Sequence, residues 1–122
     1  MSKFKKNSQN IVRIRRNRLS DEYATLSMDR INELLDHIGG RQELTYVVNK
    51  QLEMLEVAER VHPQEITNCL YKKKVVPQLA VRIETALSDM EGFEHYTKEY
   101  FCPDLNKTQF EMVIKSMDFD NV

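Results

Sequence analysis

Tryptophan is absent from this 122-residue chain, which has only three glycines, three prolines and two cysteines. Gly39, Gly40 and Gly92 form no Gly-rich phosphate loop. Cys69 and Cys102 stand 33 positions apart and match no metal-ligand or redox spacing. No apolar run approaches the roughly 20 residues of a membrane helix, and the N-terminus lacks the hydrophobic stretch of a signal peptide. Together these absences lead to the expectation of a reducing, cytoplasmic setting. His37, His62 and His95 fall in no zinc spacing, and nothing places a serine nucleophile beside a histidine and an acid. The expectation is a non-enzymatic protein with no metal and no cofactor.

Charge is plentiful but unevenly spread. Charged residues make up 30% of the chain and the formal net charge is −1. Residues 1–18 nevertheless carry seven basic groups (Lys3, Lys5, Lys6, Arg13, Arg15, Arg16, Arg18) and no acid. The remaining residues hold 11 basic and 19 acidic groups, a net of −8. A flexible basic arm is therefore joined to an acidic body. Such blocks often serve as nucleic-acid-binding tails, and a solvated tail without function has the same composition. Arg13, Arg15, Arg16 and Arg18 are candidates for insertion into a narrow minor groove, where the negative potential is enhanced. The same RIRRNR run would also suit an RNA hairpin. An arm making about five phosphate contacts gives a log–log salt slope near −4 to −5 on duplex DNA.

Helical periodicity dominates the body, and the expected fold class is all-α. Residues 1–10 are polar, basic and expected to be disordered in isolation. Ser27 is placed to cap a helix with Ile31, Leu34, Leu35 and Ile38 on its apolar face, stopped by Gly39-Gly40. Leu44, Val47, Val48, Leu52, Leu55 and Ala58 predict one long amphipathic helix over 41–60. Pro63 opens a short helix to about Lys73 whose inward residues are Ile66, Cys69 and Leu70; Pro77 opens the next, with Leu79, Ile83, Ala86 and Leu87 inward. Ser88 with Glu91, and Thr108 with Glu111, fit the capping-box pattern. Phe93, Tyr96, Tyr100 and Phe101 form an aromatic cluster suited to a core or dimer contact, and Phe110, Val113 and Met117 line a last helix before a frayed end at 118–122.

The window 61–87, VHPQEITNCLYKKKVVPQLAVRIETAL, carries the functional signal. A short polar helix there ends in Lys72, Lys73 and Lys74, and a Val-Pro break leads into a second helix. In a helix-turn-helix, the second helix lays its exposed stripe across base edges in the major groove. The residues on that stripe and turn would be His62, Gln64, Thr67, Asn68 and Tyr71. Gln and Asn each donate and accept, which matches adenine, and Thr can bond a base edge or touch the thymine methyl. Lysines past the helix end can reach backbone phosphates and favour the negative helix pole. The same residues would equally make a solvated turn and a wet helix face.

This window resembles the recognition helix and following helix of small phage Cro-type and repressor-type helix-turn-helix transcriptional regulators. The residues that carry the likeness are Val61, Pro63-Gln64, Ile66, Asn68, Lys72 to Lys74, Val76-Pro77 and Ile83-Glu84-Thr85-Ala86, with FCPDL at 101–105 fainter. The resemblance covers roughly a quarter of the chain. It implies a lambda-repressor-like helical domain that binds double-stranded DNA as a homodimer, of phage or mobile-element type, acting for example as a repressor. The chain departs from the pattern at Glu56, where a small residue normally packs, at Arg60, where Gly normally turns, and at Cys69, often Trp. Either one residue is inserted in the turn, so that Leu55 and Ala58 brace the recognition helix, or the motif has decayed.

The layout expected from sequence is a basic arm at 1–18, a helical DNA-binding domain at 19–87 and a helical dimerisation region at 88–122. Three other readings compete. In a ribbon-helix-helix protein built on residues 23–55, YATLSMD at 23–29 would be a strand followed by two helices, with Thr25 and Ser27 toward DNA and Leu26 and Met28 toward the core. Residues 84–122, with nine acids against three bases, could be a protein-binding adaptor or inhibitor surface. The arm alone could make the chain an arginine-rich RNA binder.

Overall fold

A computed structural model describes residues 20–119, and these build six helices and no strand. They are α1 (Asp21–Ile38), α2 (Arg41–Met54), α3 (Pro63–Lys72), α4 (Pro77–Leu87), α5 (Lys98–Phe101) and α6 (Lys107–Lys115). The basic arm at 1–18 and the last three residues of the expected frayed end lie outside the described residues. No helix among the described residues is long and apolar enough to cross a membrane.

Helix α1 begins earlier than the sequence predicts. Ser20, not Ser27, is the N-cap, and its side chain accepts from the Tyr23 N–H. Asp21 and Glu22 follow in the first turn, where acids favour the positive helix pole. Ser27 lies two turns in, fully buried, and donates its Oγ proton to the Phe101 carbonyl at 2.8 Å. The strand required by the ribbon-helix-helix reading is therefore helix, and Ser27 faces inward rather than toward a groove. Gly39 ends α1 in the left-handed region at φ 106°, as a C-terminal glycine should.

Helix α2 is shorter than the predicted 41–60. It stops at Met54, and the next eight residues form an irregular connection to α3. Leu44, Val48 and Leu52 are fully buried, whereas Leu55 and Ala58 are exposed, so these two do not brace the following helix. The apolar stripe ends because Glu56 turns left-handed at φ 62° and carries the chain off the helix axis. Arg60 then holds the connection together by donating to the carbonyls of Val57 and Glu59.

The expected caps at Ser88 and Thr108 are also displaced. Ser88 closes α4 instead of opening a helix; α5 is capped by Thr97 and α6 by Asn106, whose side chain exchanges hydrogen bonds with Gln109 in a reciprocal box. One hydrophobic core runs from Ile31 to Val113. Ile31, Leu34, Leu44, Val48, Ile66, Leu79, Ile83, Leu87, Phe101, Phe110 and Val113 are all at or near zero exposure. The aromatic cluster belongs to it. Tyr96 and Phe101 stack at 5.9 Å in the interior, and His37 of α1 stacks on Phe93 at 4.1 Å. Arg30 caps the cluster from outside, with its guanidinium 4.3 Å above the Tyr100 ring and a bond to the Tyr100 carbonyl.

Candidate nucleic-acid interface

Helix α3 is the element on which the candidate residues converge. Pro63 supplies its first position, where a missing N–H costs nothing. His62 is the N-cap: its Nδ1 accepts from the Gln64 N–H at 3.0 Å, and Glu65 reaches back to the His62 N–H. Nδ1 as acceptor leaves Nε2 to carry the ring proton. One side of the helix is anchored by Ile66 and Cys69, both buried, with Leu70 half-buried. Burial pushes the Cys69 thiol up to about 12, so it behaves as an inert core group.

The opposite side carries the predicted stripe. Gln64, Asn68 and Tyr71 recur at intervals of four and three and are all exposed, Tyr71 at 85%. Gln64 Nε2 donates to Asn68 Oδ1 at 3.0 Å. Thr67 lies half-buried at the stripe's edge with its hydroxyl already engaged: it donates to the Pro63 carbonyl and accepts from the Arg41 guanidinium at 3.0 Å. Its methyl is what remains for contact. Lys72 and Lys73 are exposed beyond the helix end and Lys74 is half-buried. Lys73 takes the left-handed C-cap conformation at φ 56°, usually a glycine position. The four arginines of the arm, Arg13, Arg15, Arg16 and Arg18, lie outside the described residues.

Three residues that sequence reasoning passed over hold this surface in place. Arg41, the first residue of α2, ties that helix's start to Thr67 on α3 and adds a cation beside the stripe. Asn49 clamps the end of the long connection. Its Nδ2 donates to the Val61 carbonyl at 2.8 Å, and its Oδ1 accepts the Val61 N–H at 2.7 Å. Arg82 of α4 reaches two carboxylates at 2.7 Å each, Glu59 through Nε and Glu65 through Nη1. The second oxygen of Glu59 accepts the Asp118 N–H, which ties in the C-terminal segment.

The Arg82 contacts shape the local charge. Residues 60–83 hold five basic groups and one acid, a net of +4, and that acid is Glu65. Residues 19–59 and 84–122 each carry nine acids and three bases, a net of −6 on either side. The helix and its lysines are thus a positive segment in an acidic body. Its one carboxylate, Glu65, borders the stripe and is paired with Arg82, which also holds Glu59. Among the described residues no group of His, Cys, Asp and Glu could hold a metal ion. Comparison with known protein families, curated proteins and solved structures finds no match for this chain.

Proposed function

We propose that this protein is a sequence-specific, double-stranded-DNA-binding transcriptional regulator of helix-turn-helix type that reads the major groove with α3. The observation that carries the reading is the stripe Gln64, Asn68 and Tyr71 on one exposed face of a helix that ends in three lysines and holds its one acid in an ion pair. A ten-residue helix is about 15 Å long, the scale of one major-groove site. Gln64 and Asn68 are base readers in this scheme. His62, Lys72, Lys73, Lys74 and Arg41 set the register on phosphates, as cations and donors do without reading sequence. Thr67 positions Arg41 and offers its methyl.

One such helix reads a single half-site, so the working form is a homodimer on an inverted repeat with half-sites about 34–36 Å apart. The nine acids of residues 84–122 would repel a duplex, so in this scheme the exposed acidic surface of that half turns from the DNA and serves self-association or a protein partner, while its apolar residues stay in the core. The basic arm follows the backbone or enters the minor groove. By its resemblance the regulator is of the phage or mobile-element kind, and we place it in the cytoplasm, where a DNA-binding regulator would meet its duplex.

Selection of bound duplexes from a random pool tests this. Enrichment of an inverted repeat is expected. Deleting residues 1–18 should weaken binding to every sequence and flatten the salt slope by about four. Failure to enrich any sequence, together with salt-independent retention, overturns the reading.

A further inference from the structure

We infer that Gln64 and Asn68 form a single composite reader that specifies one adenine, rather than two independent base contacts; this rests on the reading of α3 above. The two side chains sit one helical turn apart on the exposed face and are joined by the Gln64 Nε2–Asn68 Oδ1 bond of 3.0 Å. Among the described residues neither side chain has another partner. Each amide therefore spends one group on the other, which leaves Gln64 Oε1 as an acceptor and Asn68 Nδ2 as a donor. Rotating both amides by half a turn exchanges which residue supplies which group and leaves the same pair.

One donor beside one acceptor matches the major-groove edge of adenine, with its N6 amino donor and N7 acceptor. Guanine offers two acceptors there and would leave Gln64 Oε1 facing a lone pair. Cytosine offers only a donor, and thymine only an acceptor and a methyl. The mutual bond also fixes two flexible side chains before DNA arrives, so less rotamer freedom is lost on binding. The consequence is non-additivity. Removing either partner frees the other to rotate; the remaining amide still matches adenine but is no longer held in place, so most of the adenine preference is lost at the first substitution.

The test is random-duplex selection with the full-length chain and its Gln64→Ala, Asn68→Ala, double-alanine and Asn68→Asp variants. Circular dichroism should find all four folded, since both positions are exposed. The unsubstituted protein is expected to select one adenine per half-site over other bases by about 5- to 150-fold. Each alanine variant should flatten that same position, and the double variant should flatten it little further. Asn68→Asp keeps the acceptor for Gln64 Nε2 but converts the outward donor to an acceptor. Two outward acceptors suit the cytosine amino group, so the selected base should move from adenine to cytosine.

Relaxation of two different positions by the two alanine variants overturns the composite reader while leaving DNA recognition intact. Multiplicative losses in the double variant, or guanine at that position, do the same. If the unsubstituted chain selects no sequence, this inference falls together with the proposed function.

Discussion

Replacing Arg82 with methionine removes a charge while keeping most of the side chain's length and apolar stem. Two carboxylates then lose their counterion. The Glu59 side chain is 12% exposed and the Arg82 side chain 17%, so that contact is largely shielded from water, whereas Glu65 is 36% exposed and can turn outward. Breaking a buried pair by deleting one partner costs about 3–5 kcal/mol, and an exposed pair contributes about 0–1 kcal/mol. Weighting Glu59 toward the first case and Glu65 toward the second gives a loss of about 3 kcal/mol for Arg82→Met. For a chain of this size that lowers Tm by about 10–15 °C. Urea unfolding followed by far-UV circular dichroism measures it directly. Adding Glu59→Gln should restore about 1–2 kcal/mol, because the orphaned charge is gone while an oxygen remains for the Asp118 N–H. A loss below about 0.5 kcal/mol, within the range of ordinary surface changes, would refute the claim that Arg82 neutralises these acids.

Three further outcomes follow from the same geometry. Asn49→Ala leaves the Val61 N–H and carbonyl without their partner at a site of 4% exposure, so stability should fall by about 2–3 kcal/mol and the Val61 amide should exchange faster with deuterium. Lys73→Gly relieves a left-handed backbone of its Cβ and should stabilise the fold by about 1 kcal/mol, yet lower the DNA-binding salt slope by about one phosphate contact. Burial raises Cys69 from 9.0 to about 12 and Tyr96 from 10.0 to about 12. The unfolded state therefore loses these protons first, and stability falls as pH rises: by about 1.4 kcal/mol per unit above 9, and about twice that between 10 and 12. Urea midpoints measured from pH 8 to 11 check the slope, and Cys69→Ala should make it shallower between 9 and 10.

What could be read from sequence was local. Pro63 and Pro77 at helix starts, Gly39 at a helix end and the inward residues Ile66, Cys69, Leu79 and Ile83 all obey rules that span one or two turns. The exposed stripe follows from the same periodicity. Long-range partners were invisible. Ser27 looks like a cap because Ser favours that position, but its hydroxyl is satisfied by a carbonyl 74 residues away. The apolar repeat running through Leu55 and Ala58 argues for a continuous helix; Glu56 and the carbonyl contacts of Arg60 end it, and neither has a spacing signature. At α6 two offset capping boxes fit the pattern. The one used, Asn106 with Gln109, puts the apolar Leu105 and Phe110 at the positions that staple a helix entry, and both are in the core. The Arg82 contacts join residues 17 and 23 positions apart, which no local pattern encodes.

The eight-residue connection between α2 and α3 is longer than the three or four residues that the turn of a compact helix-turn-helix takes, so the proposed reading has to account for it. Length alone is a small obstacle. Doubling a flexible loop costs only about 0.6 kcal/mol in closure entropy, less than one well-made buried hydrogen bond can return. The role proposed for α3 requires a fixed orientation on its neighbours, and here side chains supply what a tight turn otherwise would. Asn49 holds both backbone groups of Val61, two residues before α3 begins, while Arg41 grips Thr67 nearly two turns of helix away from that clamp. Arg82 adds a third point from α4 through Glu65. Three attachments that do not lie on one line determine the orientation of a rigid body, whatever path the connection takes. The inserted residues are then free to vary in length or composition without turning Gln64 and Asn68 away from a duplex, provided that Asn49, Arg41 and Arg82 keep their partners.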